Sequence, residues 1–180
     1  MEIIVVNGYP ESGKDTFVNF CRDIVGEAYC KNISTVDFVK YIAAKCGWDG
    51  TKTAKNRKFL SDMKNLLTEW NDVPFQKVKK EIDFFRRDLE SYGVDKYGIV
   101  FIHCREPEEI ERFEKELGAK SVFIDREESK REQSNHSDSR VENHSYTYKI
   151  DNNENLEHLR EGAKTFIKIL RGELKIDFSV

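Results

Sequence analysis

The chain has 180 residues, enough for one domain with a real core and too few for two ordinary ones. Its 30 lysines and arginines against 33 aspartates and glutamates leave a formal net charge of -3. That balance provides no overall basic field, so nucleic acid is disfavoured as a partner. Both signs are mixed along the expected helices, which is the pattern of solvated faces.

Taken in chain order, Ile3 to Val6 is a short β-branched run without alternation, the signature of a strand buried on both faces of a parallel sheet. A glycine-containing loop follows. Phe17, Phe20, Cys21 and Ile24 then recur at helical spacing and give a helix with one apolar face. "YCKNIST" reads as a second strand, and "VDFVKYIAAKCG" as a helix ended by Gly47. Two amphipathic helices come next. Phe59, Leu60, Met63, Leu66, Leu67 and Trp70 share a face of the first. Phe75, Val78, Ile82, Phe85 and Leu89 share a face of the second, which Pro74 opens at a tolerated first-turn position. "YGIVFIHC" is another buried strand, and Pro107 starts a helix carrying Ile110, Phe113 and Leu117, closed by Gly118. "KSVFID" is a further strand.

From Arg126 to Ser145 the single aliphatic residue is Val141, so this stretch is expected as a mobile charged surface segment. "YTYKI" resumes as a strand. The last helix places Leu156, Leu159, Ala163, Phe166, Ile167 and Leu170 on one side. Strands alternating with helices imply an α/β/α architecture around a mostly parallel sheet. The whole chain, 1–180, is expected as one domain, with a helical substrate-binding insert over about 47–92 and a lid over about 126–145. Ligands of such sheets bind beyond the carboxyl ends of the strands. The glycine loop, "HCRE", "DREE" and "IDNNEN" all follow strands and are expected to converge there.

The chemistry is concentrated in "VNGYPESGKDT", Val6 to Thr16. Gly8, Gly13 and Lys14 fit G-x-x-x-x-G-K-[ST], with Asp15 in place of the final hydroxyl residue. Glycines at these positions let successive backbone N–H groups point inward at phosphate oxygens, and the following helix adds its positive end. Lys14 is expected to reach the β and γ phosphates of ATP, with Ser12 and Thr16 supplying hydroxyls. Asp15 is itself a hard oxygen donor suited to Mg²⁺, directly or through water; Thr16 is the alternative ligand.

Phosphoryl transfer between two anions needs positive charge on both sides. Arg105, just past a strand end, and Arg57 are candidates for the acceptor phosphate, set against a salt bridge to Glu106 or Glu109 and a solvated helix face respectively. The lid carries Arg126, Lys130, Arg131 and Arg140; Arg126 and Arg131 are the preferred candidates for steadying the transferring group. Asp37 stands where it either organises metal-bound water or the acceptor, or caps a helix. Asn152 and Asn153 line an adenine pocket or cap the last helix. His103, His136 and His144 match no zinc spacing.

Cys21, Cys30, Cys46 and Cys104 form no C-x-x-C pair, and Cys21 and Cys104 lie in apolar runs, as expected of buried free thiols in a reducing compartment. With no signal-like start and no long apolar span, the chain is expected to be cytoplasmic and without a membrane partner.

"SGKDT", with aspartate in the variable slot, resembles the phage-type deoxynucleoside monophosphate kinases and the related animal-type phosphomevalonate kinases. "DFVKYIAAKCGWDG" is similar to that group's D-P-L-K helix and glycine-tryptophan turn, with Asp37 and Lys40 on its Asp and Lys. "KTAKNRKFL" resembles the basic segment that follows, with Arg57 on its arginine. "FIHCREPEEIERF" resembles the strand ending in D-x-R, with Arg105 on the arginine. The stretch from Asn135 to Leu159 is similar to a lid with an S-E pair, here Ser137 and Asp138, followed by Y-D-x-I-x-N, with Asn152 or Asn153 on the asparagine.

The resemblance implies a P-loop kinase that uses ATP and Mg²⁺ to phosphorylate the phosphate of a small nucleotide-like acceptor. One departure is plain: His103 stands where the group usually has an aspartate that helps hold the metal. It implies either reliance on Asp15 and Asp37 or weakened activity. The aromatic faces of the 47–92 region are a possible homodimer contact.

Overall fold

The computed structural model describes residues 1–132, 141 and 144–173. Among the described residues, five parallel strands form one sheet: β1 (Glu2–Asn7), β2 (Cys30–Ser34), β3 (Ile99–His103), β4 (Lys120–Asp125) and β5 (Tyr148–Asp151), in the order β2-β3-β1-β4-β5. Six α-helices among the same residues connect and cover them: α1 (Lys14–Val25), α2 (Asp37–Lys45), α3 (Ala54–Asn71), α4 (Val73–Ser91), α5 (Pro107–Leu117) and α6 (Leu156–Leu170).

The unbroken apolar run of β1 is explained by its two faces. Ile4 and Val6 pack with Phe17, Cys21, Leu159 and Phe166 from α1 and α6. Ile3 and Val5 pack with Phe75, Val78, Ile82, Ile110 and Phe113 from α4 and α5. A strand covered on both sides has no solvent face to mark with polar residues. The result is the three-layer α/β/α arrangement expected from the alternation of elements.

The helix ends follow local chemistry. Gly47 at φ 92° lets Trp48 N–H reach Ala43 O (2.9 Å) and Gly47 N–H reach Ala44 O (3.1 Å), closing α2 in a Schellman motif. Thr53 caps α3 by accepting from Asn56 N–H. The last helix is capped by Asn155, whose side chain accepts from His158 N–H at 3.0 Å, so neither Asn152 nor Asn153 is its cap.

Within 47–92, expected as a helical insert, α4 packs Phe75, Val78 and Ile82 against the sheet as one of the covering helices, and Leu89 is buried too. Of the two helices in this region, α3 stands outside that layer. It has no buried residue, and Leu66 and Trp70 of its apolar face are 66% and 81% exposed. One expectation is corrected, that of a mobile charged segment over 126–145. Val141 is fully buried with Tyr9 and Phe123, and the His144 side chain is 5% exposed, bonded to Glu114 (3.2 Å). The end of the expected lid is therefore anchored to the core. Ser137, Asp138 and Arg140 and the Arg131 side chain lie outside the described residues.

The outer helix is fastened to α5 by charge. Lys64 pairs with Glu109 (2.7 Å), and Arg112 meets both Asp72 oxygens (2.8 and 2.6 Å) while lying over the Phe75 ring (3.7 Å to its centroid). A bidentate fork that also covers an aromatic face outperforms a simple surface pair. Arg112→Ala should lower stability by about 1 to 2 kcal/mol, read as a shifted urea midpoint with an unchanged m-value.

Cys21, Cys30 and Cys104 are buried free thiols and Cys46 is exposed. Among the described residues, no helix is long and apolar enough to cross a membrane.

Candidate nucleotide site

The strand order places β1 between β3 and β4, where successive connections diverge to opposite sides of the sheet. Such a switch point opens a crevice at the carboxyl ends of the strands. The glycine loop, residues 8–13, leaves β1 at this point and runs into the N-terminus of α1.

Its shape depends on backbone conformations that side chains resist. Gly8 lies at φ 148° and Gly13 at φ 92°, with Glu11 at φ 60° at the tip. Asn7, the polar residue ending an otherwise apolar strand, braces the base. Its Oδ1 accepts from Gly8 N–H (2.8 Å), and its Nδ2 donates to Tyr146 OH (2.8 Å) and Arg105 O (3.3 Å). Tyr146 OH in turn donates to Val141 O (2.6 Å), and burial pushes its phenol pKa up. On the other wall, Asn152 Nδ2 donates to Ser12 O (2.8 Å). Asn152 thus contacts the loop directly.

Lys14 opens α1 and folds its ammonium into the loop, donating to Gly8 O (2.8 Å) and to Tyr9 O, with Ser12 Oγ at 3.4 Å. Ser12 is fully buried. The first N–H groups of a helix have no partners within it, and the aligned peptides give that end partial positive charge. Glycine loop, helix start and ammonium together make an anion cradle.

The remaining candidates divide. His103 ends β3 beside Val6 of β1 and Ser34 of β2. The charged groups whose fields reach it are Asp15, Lys14, Asp37 and Lys40, so four of the candidate residues act on one imidazole. Burial holds that ring below its usual pKa, favouring the neutral form. Its Nε2 is shielded from solvent and, among the described residues, makes no hydrogen bond; Asp15 Oδ1 stands 3.7 Å away. Asp37 is the first residue of α2, after Val36 at the cap. Its carboxylate accepts from Ser34 N–H (2.7 Å) and faces Lys40 (3.7 Å), so it ties the β2 end to α2 and is not the helix cap.

Arg105 follows β3, exposed, and its carbonyl takes part in the Asn7 network. Glu109, one of its two expected salt-bridge partners beside Glu106, pairs with Lys64 and lies 3.2 Å from Cys104 Sγ. Arg126, after β4, makes a long contact to Glu11 O (3.5 Å) and a 2.8 Å bond to Glu128. A small cavity of about 110 Å³ lined by Glu11, Arg126, Glu128 and Ser129 opens there. Thr16 is half-buried on the first turn of α1, and Arg57 is exposed on the first turn of α3.

Sequence reasoning missed the Asn7–Tyr146 brace and the central place of His103. Asn7 carried a signal: a polar residue closing an apolar strand, directly before the glycine. Tyr146 carried none, since its partner is 139 residues distant.

No protein-family model matches the sequence, and no curated protein matches it. Among solved structures, the chain is similar to a shikimate kinase from Bacteroides thetaiotaomicron (15% identity, covering 94% of this chain and 98% of that one, TM-score 0.46). It is likewise similar to a sugar kinase from Janibacter sp. HTCC2649 (16% identity, 98% and 99% covered, TM-score 0.46). Likeness at this level concerns chain path and says nothing about substrate.

Proposed function

We propose that the chain is an ATP-dependent phosphotransferase that moves the γ-phosphoryl group of ATP onto the phosphate of a small acceptor, a (deoxy)nucleoside monophosphate before all others. The observation that supports this most is the Lys14 ammonium folded into a glycine loop that feeds the N-terminus of α1.

In this reading the loop amides and Lys14 hold the β and γ phosphates. Lys14 exchanges the Gly8 and Tyr9 carbonyls for phosphate oxygens and offsets charge as the phosphoryl group transfers. Asn152 and the Asn7–Tyr146 brace keep the two walls of the loop fixed. Arg105 and Lys40 supply positive charge from the β3 and β2 sides, where an acceptor phosphate would approach. Arg126 approaches the loop tip from the β4 side.

The donor set suits a divalent cation: Asp15 offers an exposed carboxylate, Thr16 a hydroxyl and His103 a ring nitrogen with no hydrogen bond among the described residues. When bound, the cation would neutralise phosphate charge during transfer.

A coupled assay for ADP release across nucleoside and deoxynucleoside monophosphates, with phosphomevalonate as a non-nucleotide acceptor, tests this. Acceptor-stimulated turnover with one or more monophosphates is the expected result. ATP binding by calorimetry with no acceptor-stimulated turnover would favour the second reading, a nucleotide-binding protein with little catalysis. The feature in its favour is an imidazole, not a carboxylate, at the β3 end. Arg126→Ala should raise KM for ATP several-fold, about 1 kcal/mol of binding, with the urea midpoint nearly unchanged.

A further inference from the structure

We propose that His103 and Asp15 form a mixed nitrogen–oxygen half-site that recruits a transition-metal dication, Mn²⁺, Co²⁺ or Zn²⁺, in preference to Mg²⁺, against the polyphosphate in the glycine loop. The inference rests on the nucleotide-binding reading above and gives that site its metal class.

Three observations converge. The His103 Nε2 atom is shielded from solvent and makes no hydrogen bond among the described residues. A buried ring nitrogen left in that state costs free energy unless a ligand completes it. The nearest charged oxygen is Asp15 Oδ1 at 3.7 Å, too far for a hydrogen bond. Two donors that share one cation with bonds of about 2.1 Å stand roughly 3 to 3.5 Å apart, so a slight shift of the exposed Asp15 side chain closes the pair on an ion. The pair also sits where the loop delivers an anion, between the end of β3 and the first turn of α1.

Donor chemistry then sets the preference. Mg²⁺ favours oxygen ligands and parts with water reluctantly. First-row dications accept an imidazole nitrogen more readily than Mg²⁺ does, Mn²⁺ by the smallest margin and Co²⁺ and Zn²⁺ by more, as affinity rises along the first-row order. A carboxylate at position 103 would leave an all-oxygen set and no such bias. The fields of Lys14 and Lys40 also reach His103 and oppose a cation, so the half-site needs the polyphosphate to be filled.

The experiment uses the full chain with inorganic tripolyphosphate, which carries no nitrogen, and Mn²⁺ as the probe. Electron spin echo spectroscopy of the ternary complex should show nitrogen modulation from a directly bound imidazole. His103→Asn should abolish it. Competition of Mg²⁺ against Mn²⁺ should show the wild type favouring Mn²⁺ by about tenfold or more over tripolyphosphate alone, with His103→Asp returning toward Mg²⁺. Tripolyphosphate and Mn²⁺ bound without nitrogen modulation in the wild type would overturn the half-site and leave the phosphate loop standing. Failure of both tripolyphosphate and ADP to bind would bring down the nucleotide reading, and the half-site with it.

Discussion

Lys14→Ala is expected to lower turnover at saturating ATP by roughly one and a half to three orders of magnitude, the 2 to 4 kcal/mol lost when a preorganised charge donor is removed from a transfer site. The reason lies in where the ammonium already is. It lies against the carbonyls of Gly8 and Tyr9, inside the curve of the loop, so it needs little reorganisation when phosphate oxygens arrive. Carbonyl oxygens are weaker partners than a polyphosphate, so the exchange is driven by charge.

A modest loss of stability, about 1 kcal/mol, should accompany it, because the carbonyls of the buried residues Gly8 and Tyr9 lose a charged donor. Lys14→Met keeps the stem and removes the charge, so it should match the alanine variant in turnover while retaining the stem's packing. Single-turnover kinetics alongside ADP calorimetry separate the two possible roles. A loss confined to ADP affinity would make Lys14 a binding group only. Turnover unchanged in both variants would place the chemistry elsewhere.

The parts of the molecule legible in the sequence were those set by local pattern. The run Ile3 to Val6 announced a doubly covered strand, and the structure puts alternate residues of it into two separate cores. The glycines of the loop announced backbone that only they tolerate well, and both lie at positive φ. Strand β4 falls on the very residues, "KSVFID", that the pattern marked.

What the sequence hid was long-range. The apolar face of α3 shows correct helical spacing, yet periodicity reports that a face exists and not what covers it. Leu66 and Trp70 remain open while the similar-looking face of α4 lies on the sheet. Val141 looked like an isolated aliphatic residue in a charged stretch. Its burial depends on Tyr9 and Phe123, remote in sequence and adjacent only once β1 and β4 pair. His103 was visible as a departure from a pattern. Its position within reach of the fields of Lys14, Asp15, Asp37 and Lys40 follows from the order β2-β3-β1, which brings three strand ends side by side. The same order makes the site a property of the sheet edge: two strand-to-helix connections and one strand terminus supply it.

Gly8→Ala should be the most damaging single-methyl change in the loop, costing about 3 kcal/mol or more of stability and abolishing measurable ADP binding. At φ 148° an L side chain is strained whatever the space around it. Here there is no space either: a Cβ would stand 2.6 Å from Ile124 O and 2.6 Å from Ser12 Oγ. The first of these is backbone near the carboxyl end of β4, which cannot retreat without loosening its pairing with Ile150 of β5. The loop would have to lift, pulling Gly8 N–H from Asn7 Oδ1 and moving the carbonyl that now holds Lys14. Gly13→Ala is the milder neighbour. Its Cβ would meet Asn152 Nδ2 at 2.5 Å, the end of a side chain that can swing aside at the loss of its bond to Ser12 O. Gly47→Ala supplies the control, since Gly47 also has positive φ (92°) but nothing lies within 4 Å of a Cβ there. It should cost about 1 kcal/mol and leave ADP affinity untouched. Urea midpoints and ADP calorimetry on the three variants read the ranking directly. If Gly8→Ala proved no worse than Gly47→Ala, then the close passage of the loop over β4 would contribute nothing, and the cradle would owe its shape to something other than the missing side chain.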